Sequence, residues 1–112
     1  MFVQKQDIRQ QKIKIGKSKK SYLKDSIPNE FVFEVRKEGA FVIETRGKQA
    51  DPKCLLFDHS RILLAKNDDG GIERNCKIQH NLGKGKYIIQ IQAATDSSHT
   101  TGKFKIKITR QN

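Results

Sequence analysis

The sequence has no tryptophan, only two cysteines and two prolines, and no long apolar run. A membrane-spanning helix needs about 20 consecutive apolar residues, and no segment approaches that length, so we expect no membrane span. The first ten residues, MFVQKQDIRQ, lack the apolar segment of a secretory signal peptide. The compartment stays open at this point, because a piece of a longer protein would lack that protein's signal.

Motifs that carry catalysis are also missing. The sequence contains no Gly-x-Ser-x-Gly, no His-Glu-x-x-His and no glycine-rich phosphate loop. His59, His80 and His99 are far apart along the chain. The consecutive residues Asp58, His59 and Ser60 cannot converge on one reacting atom as the members of a catalytic triad do. We therefore predict that the protein is not an enzyme.

Acidic residues are scarce relative to basic ones. The chain has 23 Lys and Arg against 12 Asp and Glu, which gives a net charge of +11. This balance favours an acidic ligand, such as nucleic acid, a polyanionic glycan, an anionic membrane surface or an acidic protein. Because lysine is spread along the whole chain, a surface that only maintains solubility is the alternative.

Apolar and polar residues alternate in short segments, which is the pattern of β-strands. Examples are KIKI at 12–15 and KFKIKIT at 103–109. Outside the first ten residues, which could form a short helix, an edge strand or a frayed end, no stretch of ten or more residues has a helical period. The 112 residues suffice for one domain. We predict an all-β, two-sheet antiparallel β-sandwich of seven to nine strands over residues 11–112, with residues 1–10 as an N-terminal extension. Its predicted core is Phe31, Phe33, Phe41, Ile43, Leu56, Ile78, Tyr87, Ile89, Ile91, Phe104 and Ile106.

Several motifs follow one another in a characteristic order: FVF at 31–33, ADPKCLLFD at 50–58, NDDGG at 67–71, LGKGKYIIQI at 82–91 and GKFKI at 102–106. Together they cover about residues 11–109 and resemble the bacterial pre-peptidase C-terminal domain. The resemblance implies a jelly-roll-like sandwich that serves as a non-catalytic accessory module of a secreted enzyme. It also implies an extracellular or cell-surface location, with a polymer, a partner domain or the parent protein's catalytic domain as ligand.

The last predicted strand carries a stripe of lysines. Lys103, Lys105 and Lys107 share one face, about 7 Å apart at the rise of a strand. Since the first and last strands of such sandwiches often lie close, we expect Lys12 and Lys14 to extend this face as a polyanion site. The alternative is that lysines on an edge strand block aggregation. Nucleic acid is not favoured, because the outward positions lack aromatic residues that could stack on bases.

The segment KNDDGG offers candidate calcium ligands, since calcium prefers oxygen donors. The candidates are Asp51, Asn67, Asp68 and Asp69, and calcium is the one candidate cofactor. The resemblance implies the same ion, since some related domains in clostridial collagenases bind calcium. The alternative is a hairpin turn in which Asp and Asn accept backbone N–H groups and glycine supplies a positive φ. The flanking cations Lys66 and Arg74 would repel calcium, so the sequence favours the turn.

The two cysteines permit one disulfide at most. Cys54 shares a strand face with Leu56, and Cys76 shares one with Ile78, which favours buried free thiols acting as small apolar side chains. A disulfide would need Cα atoms within about 7 Å of each other. The sequence does not determine that distance, so pairing is left open.

Overall fold

Nine strands form the part of the chain that the computed structural model describes, namely residues 9–24, 27–47, 51–68, 75–93 and 101–111. No helix in these ranges is long and apolar enough to cross a membrane. The strands are β1 (Arg9–Lys12), β2 (Ser18–Leu23), β3 (Asn29–Val35), β4 (Gly39–Arg46), β5 (Pro52–Asp58), β6 (Leu63–Asn67), β7 (Lys77–Leu82), β8 (Gly85–Ala93) and β9 (Gly102–Gln111).

The strands form two sheets that pack face to face. The five-stranded sheet has the order β1-β3-β8-β5-β6 and the four-stranded sheet the order β2-β9-β4-β7. The predicted all-β class and two-sheet sandwich are confirmed. One pairing departs from the antiparallel prediction, because β1 runs parallel to β3.

The start of the chain differs from the prediction. KIKI at 12–15 is not a strand of its own, because β1 ends at Lys12 and the chain then turns. Gly16 has a φ of 90°, a conformation that glycine adopts without steric cost, and its N–H donates to the carbonyl of Ile108 at 2.7 Å. The sandwich therefore includes Arg9 and Gln10, which were assigned to the N-terminal extension; residues 1–8 lie outside the described ranges.

Alternation along the strands builds the core between the sheets. Phe31 pairs with Ile89, and Ile89 pairs with Leu56, so one row of the five-stranded sheet faces inward. The Phe31 ring meets Phe104 of the opposite sheet edge-on, with 6.4 Å between centroids. The predicted core is confirmed by burial except at Tyr87, which is half-buried. Its hydroxyl donates to the carbonyl of Gly83 at 2.8 Å.

A disulfide joins the two sheets through the core. Cys54 in β5 is bonded to Cys76, which immediately precedes β7, and their Cα atoms are 6.1 Å apart. Both residues are fully buried. The interpretation of the cysteines as free thiols is wrong, because the sandwich brings together two positions separated by 22 residues in the sequence.

Candidate functional site

The lysine stripe lies on an interior strand of the four-stranded sheet. Strand β9 pairs with β2 on one side and with β4 on the other. Its inward residues are buried, whereas Lys103, Lys105 and Lys107 are exposed on the outer face. The interpretation of these lysines as edge protection is wrong, because β9 is not an edge. That role falls to Lys19 on the edge strand β2, whose position faces inward opposite Ile106.

Neighbouring strands add further cations to this outer face. Lys105 pairs with Lys20 of β2 and with Arg46 of β4. Lys107 pairs with Glu44, which in turn pairs with Lys77 of β7. Among the described residues of this face, Glu44 is the one acidic side chain. We call the exposed cations the basic face: Lys20, Arg46, Lys77, Lys103, Lys105 and Lys107.

This arrangement of charge opposes folding rather than favouring it. Directly paired side chains on adjacent strands have Cβ atoms about 4.5–5.5 Å apart, and like charges at such positions are destabilising. Lys105 has a cation opposite it on both sides. An anionic ligand spread over the three strands would offset that repulsion. The basic face therefore concentrates positive charge at directly paired positions of neighbouring strands.

One aromatic side chain lies beside the basic face. Tyr22 pairs with Lys103 and is 46% exposed. The prediction that the outward positions lack aromatic residues is therefore wrong at this position. The segment SKKSYL showed the tyrosine, but only the pairing of β2 with β9 places it next to the lysines.

Two of the five predicted polyanion-binding residues do not belong to the strands of the four-stranded sheet. Lys12 belongs to β1, which is part of the five-stranded sheet, so the prediction that it extends the lysine stripe is wrong. Lys14 is exposed in the turn between β1 and β2, where its carbonyl accepts a hydrogen bond from the Lys17 N–H at 3.1 Å. The strand adjacent to β9 is β2, and β2 supplies Lys20 instead.

Three of the four candidate calcium ligands, Asp51, Asn67 and Asp68, lie at the open end of the β5–β6 hairpin. Asp51 is buried just before β5, and Asp68 is exposed just after β6. Asn67 accepts a hydrogen bond from the Lys77 N–H at 3.1 Å through its side-chain oxygen. Asp69 falls outside the described ranges. Within those ranges no three His, Cys, Asp or Glu residues are grouped to hold a metal ion; calcium binding stays a prediction.

The outer face of the five-stranded sheet holds a buried carboxylate that the sequence analysis missed. Glu30 of β3 has a side chain only 1% exposed. It accepts two hydrogen bonds of 2.9 Å from Arg61, one of 2.9 Å from Gln90 and one of 3.0 Å from Gln10. The hydrogen bond from the Arg61 guanidinium is the main reason that the pKa of Glu30 is lowered, against the opposing effect of burial.

Two carboxylates, those of Glu30 and Asp58, hold the loop between β5 and β6 in place. Arg61 lies in this loop with a φ of 63°, a strained conformation for a residue with a side chain. Asp58 accepts hydrogen bonds from the backbone N–H groups of Ser60 at 2.9 Å and Ile62 at 3.0 Å. Because β8 lies between β5 and β3, Arg61 spans β8 to reach Glu30. The loop is thereby held against the outer face of its own sheet.

Comparisons with known proteins support the fold. No protein-family model matches the chain, and no curated protein matches its sequence. Among solved structures, the chain is similar to the pre-peptidase C-terminal domain of collagenase from Bacillus anthracis. The TM-score is 0.73 at 13% identity, over 96% of this chain and 99% of that domain. The predicted resemblance to this domain is confirmed at the level of fold.

A second solved structure shares the same architecture. The chain is similar to PliG of Aeromonas hydrophila, a periplasmic lysozyme inhibitor of g-type lysozyme. The TM-score is 0.63 at 13% identity, over 90% of this chain and 98% of that one. At this level of identity, both comparisons show a shared β-sandwich fold.

Proposed function

We propose that the chain is a non-catalytic binding module whose basic face holds a polyanionic polymer. The observation that carries the proposal is the position of Lys105, on an interior strand with Lys20 and Arg46 directly opposite it. Such repulsion weakens the fold unless a ligand neutralises it. A ligand-binding role accounts for the arrangement, and an anti-aggregation role does not.

The dimensions of the basic face favour a polymer over a small anion. Alternate residues of β9 are about 7 Å apart along the strand, and neighbouring strands are about 4.8 Å apart. The cations extend from Lys103 to Lys107 along β9 and across to Lys77 of β7. A ligand with repeated negative charges can contact several of them together and displace the counterions that each side holds. Such binding depends on charge and not on sequence.

The fold neighbours support an accessory role outside the cytoplasm. One is a domain of a collagenase and the other is a periplasmic inhibitor, and neither description is that of a catalytic domain. The buried Cys54–Cys76 disulfide agrees with such a location, since disulfides persist mainly in oxidising compartments. A polymeric ligand of a secreted or surface protein fits both observations.

The test is a comparison of ligands and variants. Heparin and single-stranded DNA of similar length are titrated against wild type, the triple variant K103Q/K105Q/K107Q and the matched control K12Q/K37Q/K84Q, which loses the same charge elsewhere. We expect heparin affinity to fall at least tenfold in the first variant only. Equal losses in both variants would reduce the proposal to an effect of net charge. Much tighter binding of DNA, lost in Tyr22→Thr, would favour the nucleic-acid alternative.

A further inference from the structure

A second surface lies on the opposite side of the sandwich. Three large apolar side chains are exposed among the described residues. Tyr22 lies beside the basic face, whereas Ile62, which is 60% exposed, and Leu63, which is 46% exposed, lie at the five-stranded sheet. Ile62 and Leu63 are consecutive and lie where the β5–β6 loop enters β6. Single exposed apolar residues are ordinary, but contiguous ones mark interaction sites.

Leu63 continues an apolar row across the outer face of the five-stranded sheet, and Ile62 immediately precedes it in the β5–β6 loop. Leu63 pairs with Phe57, and Phe57 pairs with Ile88. Ile88 pairs in turn with Val32. Ile88 is only 9% exposed although it points away from the other sheet, so the face is already partly covered. We call Val32, Phe57, Ile62, Leu63 and Ile88 the apolar patch.

The loop that carries the exposed end of the patch is held in place before any partner arrives. Asp58 accepts two backbone N–H groups of the loop, and Arg61 makes two 2.9 Å bonds to the buried Glu30. A surface fixed in its bound shape loses little conformational entropy on binding. The strained backbone of Arg61 is thus part of the loop conformation that holds Ile62 and Leu63 in an exposed, fixed position.

We propose that the apolar patch is a docking surface for an acidic segment of a partner protein. The charges around the patch select this occupant. The Arg61 side chain is 52% exposed. Lys66 and Lys86 are exposed on the same face, three positions along β6 from Leu63 and two positions along β8 from Ile88. Of the exposed acids nearby, Glu34 lies 3.7 Å from Arg36 and opposite Lys86, and Asp68 lies just beyond β6, two positions from Lys66.

Charge complementarity also argues against a second copy of the chain as the occupant. A chain of net charge +11 repels another copy of itself. An acidic partner with apolar side chains is instead attracted by the cations and buries Ile62 and Leu63. The patch and the basic face lie on opposite outer faces of the sandwich, so polymer and protein can be bound together.

The test uses three synthetic 12-residue peptides and the isotopically labelled full chain. The first peptide combines Asp and Glu with Leu and Phe, the second has the acids without the apolar residues, and the third has the apolar residues with Lys. We expect amide shifts at residues 57–63 and 88 with the first peptide only. Ile62→Asn and Leu63→Thr should each weaken the binding of the first peptide at least fivefold. The control is Tyr22→Thr, which changes an exposed side chain on the other sheet and should leave that binding unchanged.

Several results would overturn the proposal. Equal amide shifts at residues 57–63 with the second peptide, no shifts there with the first at millimolar concentration, or loss of those shifts in Lys105→Gln instead of Ile62→Asn would each do so. A dimer in sedimentation that Leu63→Thr abolishes would make a second copy the occupant. If phosphatidylglycerol vesicles bind through Ile62 and the peptides do not, the occupant of the apolar patch is a membrane surface. Melting curves of each variant establish that it is folded.

Discussion

The disulfide makes a quantitative prediction about stability. Reducing Cys54–Cys76 frees a loop whose ends are 22 residues apart. In the chain-entropy relation, closing a loop of that length removes about 11 cal/mol/K from the unfolded chain, or about 3 kcal/mol at 25 °C. Reduction keeps both sulfur atoms in the core, so the change isolates the cross-link from any loss of packing. The unfolding free energy should therefore fall by about 3 kcal/mol.

Urea unfolding with and without a phosphine reductant measures this difference. With a urea slope of about 1–3 kcal/mol/M for a small domain, the midpoint should fall by about 1–3 M. The matched control is C54A/C76A, whose midpoint should not respond to the reductant. Two thiols that react in denaturant before any reductant is added, together with an unchanged wild-type midpoint, would refute the cross-link between the sheets.

The remaining predictions concern the buried carboxylate, the core and calcium. Arg61→Ala removes the main hydrogen-bond donor to Glu30 and should cost about 1.5–3 kcal/mol of unfolding free energy, whereas Arg36→Ala, at an exposed pair, should change little. Arg61 lowers the pKa of Glu30, so the stability that this pair contributes is present above the ordinary glutamate pKa and is lost as the pH falls through the lower pKa of the folded state. The urea midpoints of wild type and Arg61→Ala should therefore converge in acid. Ile89→Ala should cost about 2–5 kcal/mol by the same titration, far more than the exposed Leu63→Ala. If NDDGG is a turn, millimolar calcium should leave the melting temperature unchanged; a rise that a chelator reverses would favour the calcium site.

The architecture was predictable because each strand carries its own signal. Alternation of apolar and polar residues is a local property, and in β9 it separates Phe104, Ile106 and Ile108 from the three lysines without reference to any other strand. Burial then follows, since one face of each sheet must pack against the other. Tyr87 departs from this because it lies at the start of β8, where its hydroxyl reaches the adjoining turn.

What the sequence left open depends on which strands are neighbours. Lys20 and Arg46 join the basic face only because β2 and β4 flank β9. Glu30 and Arg61 are 31 residues apart in sequence and meet only when the β5–β6 loop folds back over β8. The placement of Lys12 failed for the same reason, since β1 pairs with β3 instead of β9. Local periodicity does not encode such partners.

The most direct test of the central claim is the salt dependence of polymer binding. Heparin affinity is measured by titration between 50 and 300 mM NaCl for wild type, K103Q/K105Q/K107Q and K12Q/K37Q/K84Q. Each cation that contacts the polymer contributes about one unit to the slope of log K against log salt. The account predicts a slope shallower by about three in the β9 variant and unchanged in the control. Equal slopes in all three proteins would contradict it.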